Sequence, residues 1–245
     1  MQIRLISVAG RRDKNQDSIL ANGKIYSQEN SFFASYEDNS QNAQLFVVAD
    51  GMGGECDGEK VSHTLVSVLR EELCSLAETE KDARYITNQV IDAINKAQKL
   101  IIDELNESES IGGTTVSALL IFDGKFVTFN IGDSPIYLIR KNKLQLLSET
   151  HTLAQKKLDE GVSKGKIDER DFHCLVQCVG SGGFSEIAVT EGYCCKGDAF
   201  VVASDGLLLC GERKIKKFVE GKDFTKLIKK FMRVSDNVSG IEIKI

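Results

Sequence analysis

The chain has 245 residues, 42% hydrophobic and 27% charged, with 31 Lys plus Arg against 36 Asp plus Glu for a formal net charge of −5, which excludes disorder, collagen and a small disulfide scaffold. The acidic balance provides no basic field for nucleic acid or anionic lipid, and no apolar run approaches the roughly 20 residues of a bilayer span, so neither nucleic acid nor membrane is expected as a partner. Seven cysteines form an odd count without CxxC pairs, and the start MQIRLISVAGRR lacks the basic-then-apolar order of a signal peptide, so reduced thiols and a cytoplasmic location are expected.

In chain order, Ile3, Leu5, Ile6 and Val8 predict a strand, and the apolar run Leu45 to Ala49 predicts a buried one. From Glu59 the spacing of Val61, Leu65, Val68, Leu69, Leu73 and Leu76 describes one face of an amphipathic helix. A second helix follows, with its stripe at Ile86, Val90, Ile91, Ile94, Ala97, Ile101 and Leu105. Asp123-Gly124 joins the strands Thr114 to Phe122 and Lys125 to Asn130 in a hairpin. A further hairpin joins Ile136 to Arg140 and Leu144 to Leu147 through Lys141-Asn142-Lys143. Residues 148 to 185, rich in charge and glycine, predict an irregular flap. Ala199 to Ala203 is another buried strand, Phe224 to Phe231 a last helix, and Ile241 to Ile245 an alternating final strand. This order lacks the βαβ alternation of a doubly wound sheet and predicts antiparallel sheet covered by helices.

Two segments echo each other, Leu45-Phe-Val-Val-Ala-Asp-Gly-Met52 and Ala199-Phe-Val-Val-Ala-Ser-Asp-Gly-Leu207, each placing an aspartate at the mouth of a buried strand. The glycine that follows, Gly51 or Gly206, lets backbone and carboxylate face one small volume, useful where a carbonyl joins a cation's shell. One Asp-Gly after a strand is usually a turn. Asp17, Asp133 and Asp236 stand at comparable breaks, and five converging carboxylates would repel by several kcal/mol unless cations neutralised them. Carboxylates without His or Cys partners select Mg²⁺ or Mn²⁺ over zinc.

The segments Arg12-x-x-Asn15-Gln16-Asp17, Val48-Ala49-Asp50-Gly51-Met52-Gly53-Gly54 with Gly58-Glu59-x-x-Ser62, Gly113-Thr114-Thr115, Asn130-Ile131-Gly132-Asp133-Ser134, His151, Ala203-Ser204-Asp205-Gly206-Leu207 and Asp236-Asn237 follow one another in register. In these the chain resembles the metal-dependent protein phosphatases of the 2C type, in their bacterial form. The resemblance implies one catalytic domain over 1–245, of α+β class: a four-layer α-β-β-α sandwich, two antiparallel sheets flanked by helices. It implies hydrolysis of phosphoserine and phosphothreonine in proteins, and as partners phosphorylated proteins, including a serine/threonine kinase and its substrates. A monomer is expected.

Carried over by the resemblance, Asp50 would bridge two Mn²⁺ or Mg²⁺ ions, the Gly51 carbonyl would bind one, Asp205 and Asp236 would hold the other, and Asp17 would act through bound water. Arg12 would grip the phosphoryl group and serve catalysis with Asp50, its planar fork suiting phosphoryl oxygens. Asp133 would help hold a weaker third ion with Asp205. A hydroxide shared by two cations about 4 Å apart would be the nucleophile, so neither a Cys-x₅-Arg loop nor a serine-histidine triad is required.

Four positions depart from the pattern. Glu55 stands where bacterial relatives commonly have histidine, which leaves the leaving-group acid unassigned; Pro135 replaces an arginine, Thr150 an aspartate, and Leu209 a position that is often acidic. His63 and His173 read as structural or exposed histidines, and the cysteines, including Cys174-x₃-Cys178, as buried free thiols. Two rival functions keep the fold: a catalytically impaired regulatory module that captures a phosphoprotein, and a phosphomonoesterase acting on small substrates.

Overall fold

The computed structural model describes residues 1–27, 31–39, 43–53, 57–74, 82–210 and 224–245. Its strands are β1 (Gln2–Val8), β2 (Asp17–Ala21), β3 (Lys24–Ser27), β4 (Ser31–Glu37), β5 (Gln44–Gly53), β6 (Gly112–Thr114), β7 (Val116–Phe122), β8 (Lys125–Ile131), β9 (Ile136–Arg140), β10 (Lys143–Leu146), β11 (Val179–Gly180), β12 (Ala188–Tyr193), β13 (Ala199–Ala203) and β14 (Val238–Lys244). The α-helices are α1 (Asp57–Cys74), α2 (Ala83–Glu107), α3 (Leu153–Asp159) and α4 (Phe224–Phe231). One sheet runs β10-β9-β13-β14-β1-β4; the other runs β3-β2-β5-β7-β8-β12, with β6 and β11 continuing from the far end of β5. Every pairing within them is antiparallel.

Three apolar layers hold four structural layers together. Between the sheets, Ile3, Leu5, Phe200, Val202, Ile241 and Ile243 meet Ile19, Phe46, Val48, Leu119, Ile121 and Phe126. The opposite face of the β5 sheet, through Leu45, Val47, Ala49, Ala118 and Leu120, receives the stripes of α1 and α2. The opposite face of the β1 sheet, through Ile6, Val8, Val201 and Ala203, receives Leu207 and Phe231 of α4. The α-β-β-α sandwich follows from period-2 strands that are apolar on both faces, because each sheet has a sheet on one side and helices on the other. Each fully buried Phe, Leu or Ile contributes about 1.5–3 kcal/mol.

The helical stripes fall where the spacing predicts, with Ile86, Val90, Ile94, Ala97, Ile101 and Leu105 all buried; Leu76 lies outside the described residues. The Asp123-Gly124 hairpin has φ of 47° and 68° at its two turn residues, the left-handed pair that a two-residue connection needs. Several boundaries differ from expectation: the final strand runs Val238–Lys244 rather than from Ile241, and β5 continues past Ala49 to Gly53. The predicted strand from Thr114 is cut at Thr115, whose amide donates to the Asp50 carbonyl at 2.9 Å while its hydroxyl accepts the Asp50 amide at 3.1 Å. The turn after β9 is Lys141-Asn142 alone, both with positive φ, and Lys143 already pairs with Arg140. The flap is more regular than its composition suggests, holding α3 and the 3₁₀ turns Lys164–Lys166 and Glu169–His173. Cys174 and Cys178 share no helix, and Cys174 and Cys195 are exposed thiols. Among the described residues no helix is long and apolar enough to cross a membrane.

Candidate metal centre

Strand ends from both sheets meet at one end of the sandwich, and the echo of the two Asp-Gly segments has its spatial meaning there. Asp17 opens β2 directly opposite Asp50 near the end of β5, so two carboxylates sit side by side on neighbouring strands. Asp205 follows β13 in the facing sheet, and its charge acts on the Asp50 carboxyl. Asp236 precedes β14, and Asp133 lies in the connection from β8 to β9.

Serine and asparagine side chains tie these ends together. Ser204 Oγ donates to Asp17 Oδ2 at 2.9 Å and accepts from the Ser239 amide at 2.9 Å, joining the two sheets at the carboxylates. Asn15 Nδ2 donates to Ser7 Oγ at 2.7 Å, and Ser7 and Ser239 share a bond of 2.8 Å. Asn237 is a hub: its Nδ2 donates to the carbonyls of Ala9 and Lys14, both at 2.9 Å, and its Oδ1 accepts from the Gln16 amide at 2.9 Å. It thereby clamps the loop carrying Arg12 against the start of β14. Thr115 and Ser134 join hydroxyls at 2.8 Å, fixing the Asp133 turn to the strand beside Asp50. The motif residues Asn15, Ser204 and Asn237 are thus a scaffold whose role their spacing alone does not disclose.

Gly51 and Gly206 owe their identity to close backbone approach. A Cβ at Gly51 would stand 2.1 Å from the Gly58 carbonyl oxygen and 2.5 Å from that of Gln16, and one at Gly206 would stand 1.9 Å from that of Asn237. The helix α1 and the Asn237 hub therefore reach the carboxylates only because no side chain intervenes.

The electrostatics are those of crowded anions. Burial first, and then the charges of Asp17, Asp205, Asp133 and Asp236, hold the Asp50 carboxyl well above its ordinary range. Burial lifts Asp17 to about 7 against the hydrogen bonds from Ser239 and Ser204, with Asp205 and Asp236 pushing further up. Asp133 rises to about 7 through burial and then the charge of Asp205, and Asp205 itself is raised by burial and then by Asp236. Asp17 Oδ1 is buried with no protein partner, an orphan acceptor that costs stability unless something outside the chain satisfies it. Arg12 Nη2 bonds Asp236 Oδ2 at 3.0 Å, its side chain 56% exposed. Among the described residues, no three His, Cys, Asp or Glu side chains are gathered into a ready-made cage, Asp236 being turned to Arg12. The donor set nonetheless fits a hard divalent cation: it consists of oxygens alone, it is short of positive charge, and one of its acceptors is unpaired.

The histidines divide. His63 Nδ1 shares a bond of 2.9 Å with Ser27 Oγ, a structural contact. His151 is buried, its Nδ1 accepting the Gly132 amide at 3.0 Å beside Asp133. His173 is exposed at the end of the flap's second 3₁₀ turn. Glu55 lies outside the described residues. Pro135 is buried and its carbonyl accepts the Ala203 amide at 3.0 Å, while Leu209 is 49% exposed beside the site.

The chain belongs to the protein phosphatase 2C family, whose model matches residues 30–242. It is 30% identical over 184 residues to the serine/threonine phosphatase stp of Listeria welshimeri, covering 71% of this chain and 68% of that one. Its fold is that of the S. agalactiae serine/threonine phosphatase, with a TM-score of 0.79 at 22% identity over 100% of both chains. It is also that of the PstP catalytic domain solved in complex with two manganese ions, with a TM-score of 0.73 at 23% identity, covering 99% of this chain and 98% of that one. Arg12 and Asp17 precede the matched span, and the β2–β5 pairing brings Asp17 to Asp50 independently of it.

Proposed function

We propose that the chain hydrolyses phosphoserine and phosphothreonine in proteins, with Asp50, Asp205, Asp236, Asp17 and the Gly51 carbonyl holding two Mn²⁺ or Mg²⁺ ions and Asp133 contributing to a weaker third. The observation that carries this reading is the crowd of carboxyls at one strand-end junction, four of them with pKa values raised by burial and mutual repulsion, with an unpaired oxygen among them. Such an arrangement costs stability in the bare protein and is relieved by divalent cations. Bound there, the ions would make water a stronger nucleophile and neutralise phosphoryl charge. The PstP relative with two manganese ions and the stp relative named a serine/threonine phosphatase support the same reading.

The chain's own residues do the remaining work. Arg12 pairs with Asp236 in the bare protein; a cation on Asp236 would take over that carboxylate and free the guanidinium fork for two phosphoryl oxygens. The serine and asparagine scaffold fixes the carboxylates before substrate arrives, so little reorganisation accompanies reaction. We place the reaction in one catalytic domain over 1–245, acting in the cytoplasm as a monomer on phosphoproteins that include a kinase and its targets. The test is phosphate release from a phosphothreonine peptide. Turnover that requires Mn²⁺ or Mg²⁺, stops with chelator and returns with metal is the expected result; folded, metal-saturated protein without turnover on the peptide or on an aryl phosphate would leave a phosphoprotein-binding module in its place.

A further inference from the structure

The connection between β1 and β2, residues 9–16, has neither strand nor helix of its own, yet it carries Arg12. One buried side chain gives it shape. Asn237, 5% exposed, directs both its N–H groups and its oxygen to this loop: Nδ2 donates to the carbonyls of Ala9 and Lys14, and Oδ1 accepts the Gln16 amide, each at 2.9 Å. The Ala9 carbonyl also accepts the Arg12 amide at 3.2 Å, so the backbone of Arg12 and the side chain of Asn237 hang from one oxygen. Within that turn Gly10 has φ +67°, and a Cβ there would stand 2.1 Å from the Asp236 carbonyl oxygen. The Arg11 amide adds a bond to the Val234 carbonyl at 2.9 Å. The preceding residue meets the other end of Arg12: Asp236 Oδ2 accepts from Nη2 at 3.0 Å while Oδ1 accepts the Asn237 amide at 2.9 Å. In the dipeptide Asp236-Asn237, one side chain fixes the backbone of the loop and the other meets its guanidinium.

A guanidinium fork grips two phosphoryl oxygens only from a defined distance and plane. The Arg12 side chain is long and half-exposed, so the place of its fork depends on where the backbone starts it. Asparagine suits that task, because one short planar group makes three bonds here, two of them donations that an aspartate could not make. Gln16 directly precedes Asp17 at the start of β2, so the same side chain also sets the register between the Arg12 loop and a carboxylate of the candidate metal centre.

We propose that Asn237 is a positioning residue for phosphate recognition: it holds residues 9–16 where Arg12 meets the phosphoryl group, and it sets the affinity for the phosphorylated substrate through Arg12 rather than by contact. This role rests on the phosphatase reading above.

The experiment measures, in saturating Mn²⁺, kcat and KM on a phosphothreonine peptide and the Kd of inorganic phosphate by titration calorimetry. It compares the wild type, Asn237→Ala, Arg12→Ala and the variant carrying both substitutions. Asn237→Ala is expected to raise KM and the phosphate Kd about tenfold, as Arg12→Ala does, with a smaller change in kcat. In the double variant the two losses should not multiply. Its KM should stay within about twofold of Arg12→Ala alone, because a loop without the guanidinium has nothing left to place. Asn237→Asp keeps an acceptor for the Gln16 amide but loses both donations; it should shift KM in the same direction, and it carries the comparison should Asn237→Ala fail to fold. Gly124→Ala, in the turn at the far end of β7 and β8, controls for lost stability, with a KM expected to match the wild type. An unchanged KM in Asn237→Ala, a loss confined to kcat, or a rise of about 100-fold in the double variant would overturn the proposal. Wild-type protein that binds Mn²⁺ but neither binds phosphate nor turns over the peptide would instead overturn the phosphatase reading on which the role stands.

Discussion

Asp50 carries a stability cost at the site and, in the function proposed above, a central part in holding the ions. Its carboxyl is raised by burial and by four neighbouring carboxylates, so in the metal-free protein its ionisation opposes folding at neutral pH. Asp50→Asn removes that charge at nearly constant volume. It should raise the melting temperature of the chelated protein at pH 8 while lowering metal-saturated turnover at least about 100-fold, the scale of losing one positioned electrostatic group; calorimetry and peptide kinetics check the two halves. Arg12 differs, being half-exposed and paired with Asp236. Arg12→Ala should raise KM for a phosphopeptide about tenfold with a smaller change in kcat, and an unchanged KM would remove Arg12 from the phosphate grip. Each of these aspartates was visible in the sequence as a carboxylate at a strand break. What no spacing could disclose is that Ser204 bonds Asp17 or that Asn237 bonds the carbonyls of Ala9 and Lys14, because those contacts join residues far apart along the chain.

At the scale of elements, sequence pattern was most legible where burial is one-sided. The stripes of α1 and α2 face one apolar layer, whereas β14 is buried on both faces and alternates because Ile241 and Ile243 enter the layer between the sheets while Glu242, on the other face, pairs with Arg4. Strand β2, five residues all buried, lacks alternation because helix α1 covers one face and the second sheet the other. Strand β4 alternates in burial along its whole length but exposes Phe33 at 40%, which blurs the apolar period. The short helix α3 is announced only by the Thr152 cap on the Gln155 amide. The site depends on how closely such elements approach. Gly206→Ala would drive a Cβ to 1.9 Å from the Asn237 carbonyl oxygen, displacing backbone at the hub; a loss of about 1–3 kcal/mol in a denaturant melt together with lost activity is expected. Gly124→Ala, with φ +68° and open space around it, should cost only the left-handed strain of about 1–2 kcal/mol and leave kcat unchanged. Equal kcat values for the two variants would show that the close approach at Gly206 does not position Asp205.

For the whole molecule, the crowded carboxyls set how stability depends on pH and metal. Asp17 and Asp133 hold protons to about 7 in the fold but release them near 4 when unfolded. Between these values the folded state binds more protons than the unfolded one, so metal-free stability is fully present below pH 4, declines as pH rises through about 7, and levels off above. Divalent cations bound at these carboxylates are expected to reverse the decline. At 100 times Kd they add about 2.7 kcal/mol, which for a chain of this length is a rise of about 5–10 °C at pH 8. The increment should shrink at pH 5, where protons compete for the same oxygens; a metal-induced rise equal at both pH values would contradict the shared-carboxylate origin. The element order alone reached antiparallel sheet covered by helices; the four-layer sandwich came from the family resemblance. Which strand ends would meet depended on pairings such as β1 with β14 and β2 with β5, which the local pattern leaves open.

The most direct test is equilibrium binding of Mn²⁺ to the purified chain, counted by titration calorimetry for the wild type and for Asp50→Asn. At least two ions per wild-type chain, with the tight pair lost in the folded variant, is the predicted result. No Mn²⁺ bound by the folded wild type, or an unchanged count and affinity after the substitution, would contradict a divalent-cation centre built on Asp50.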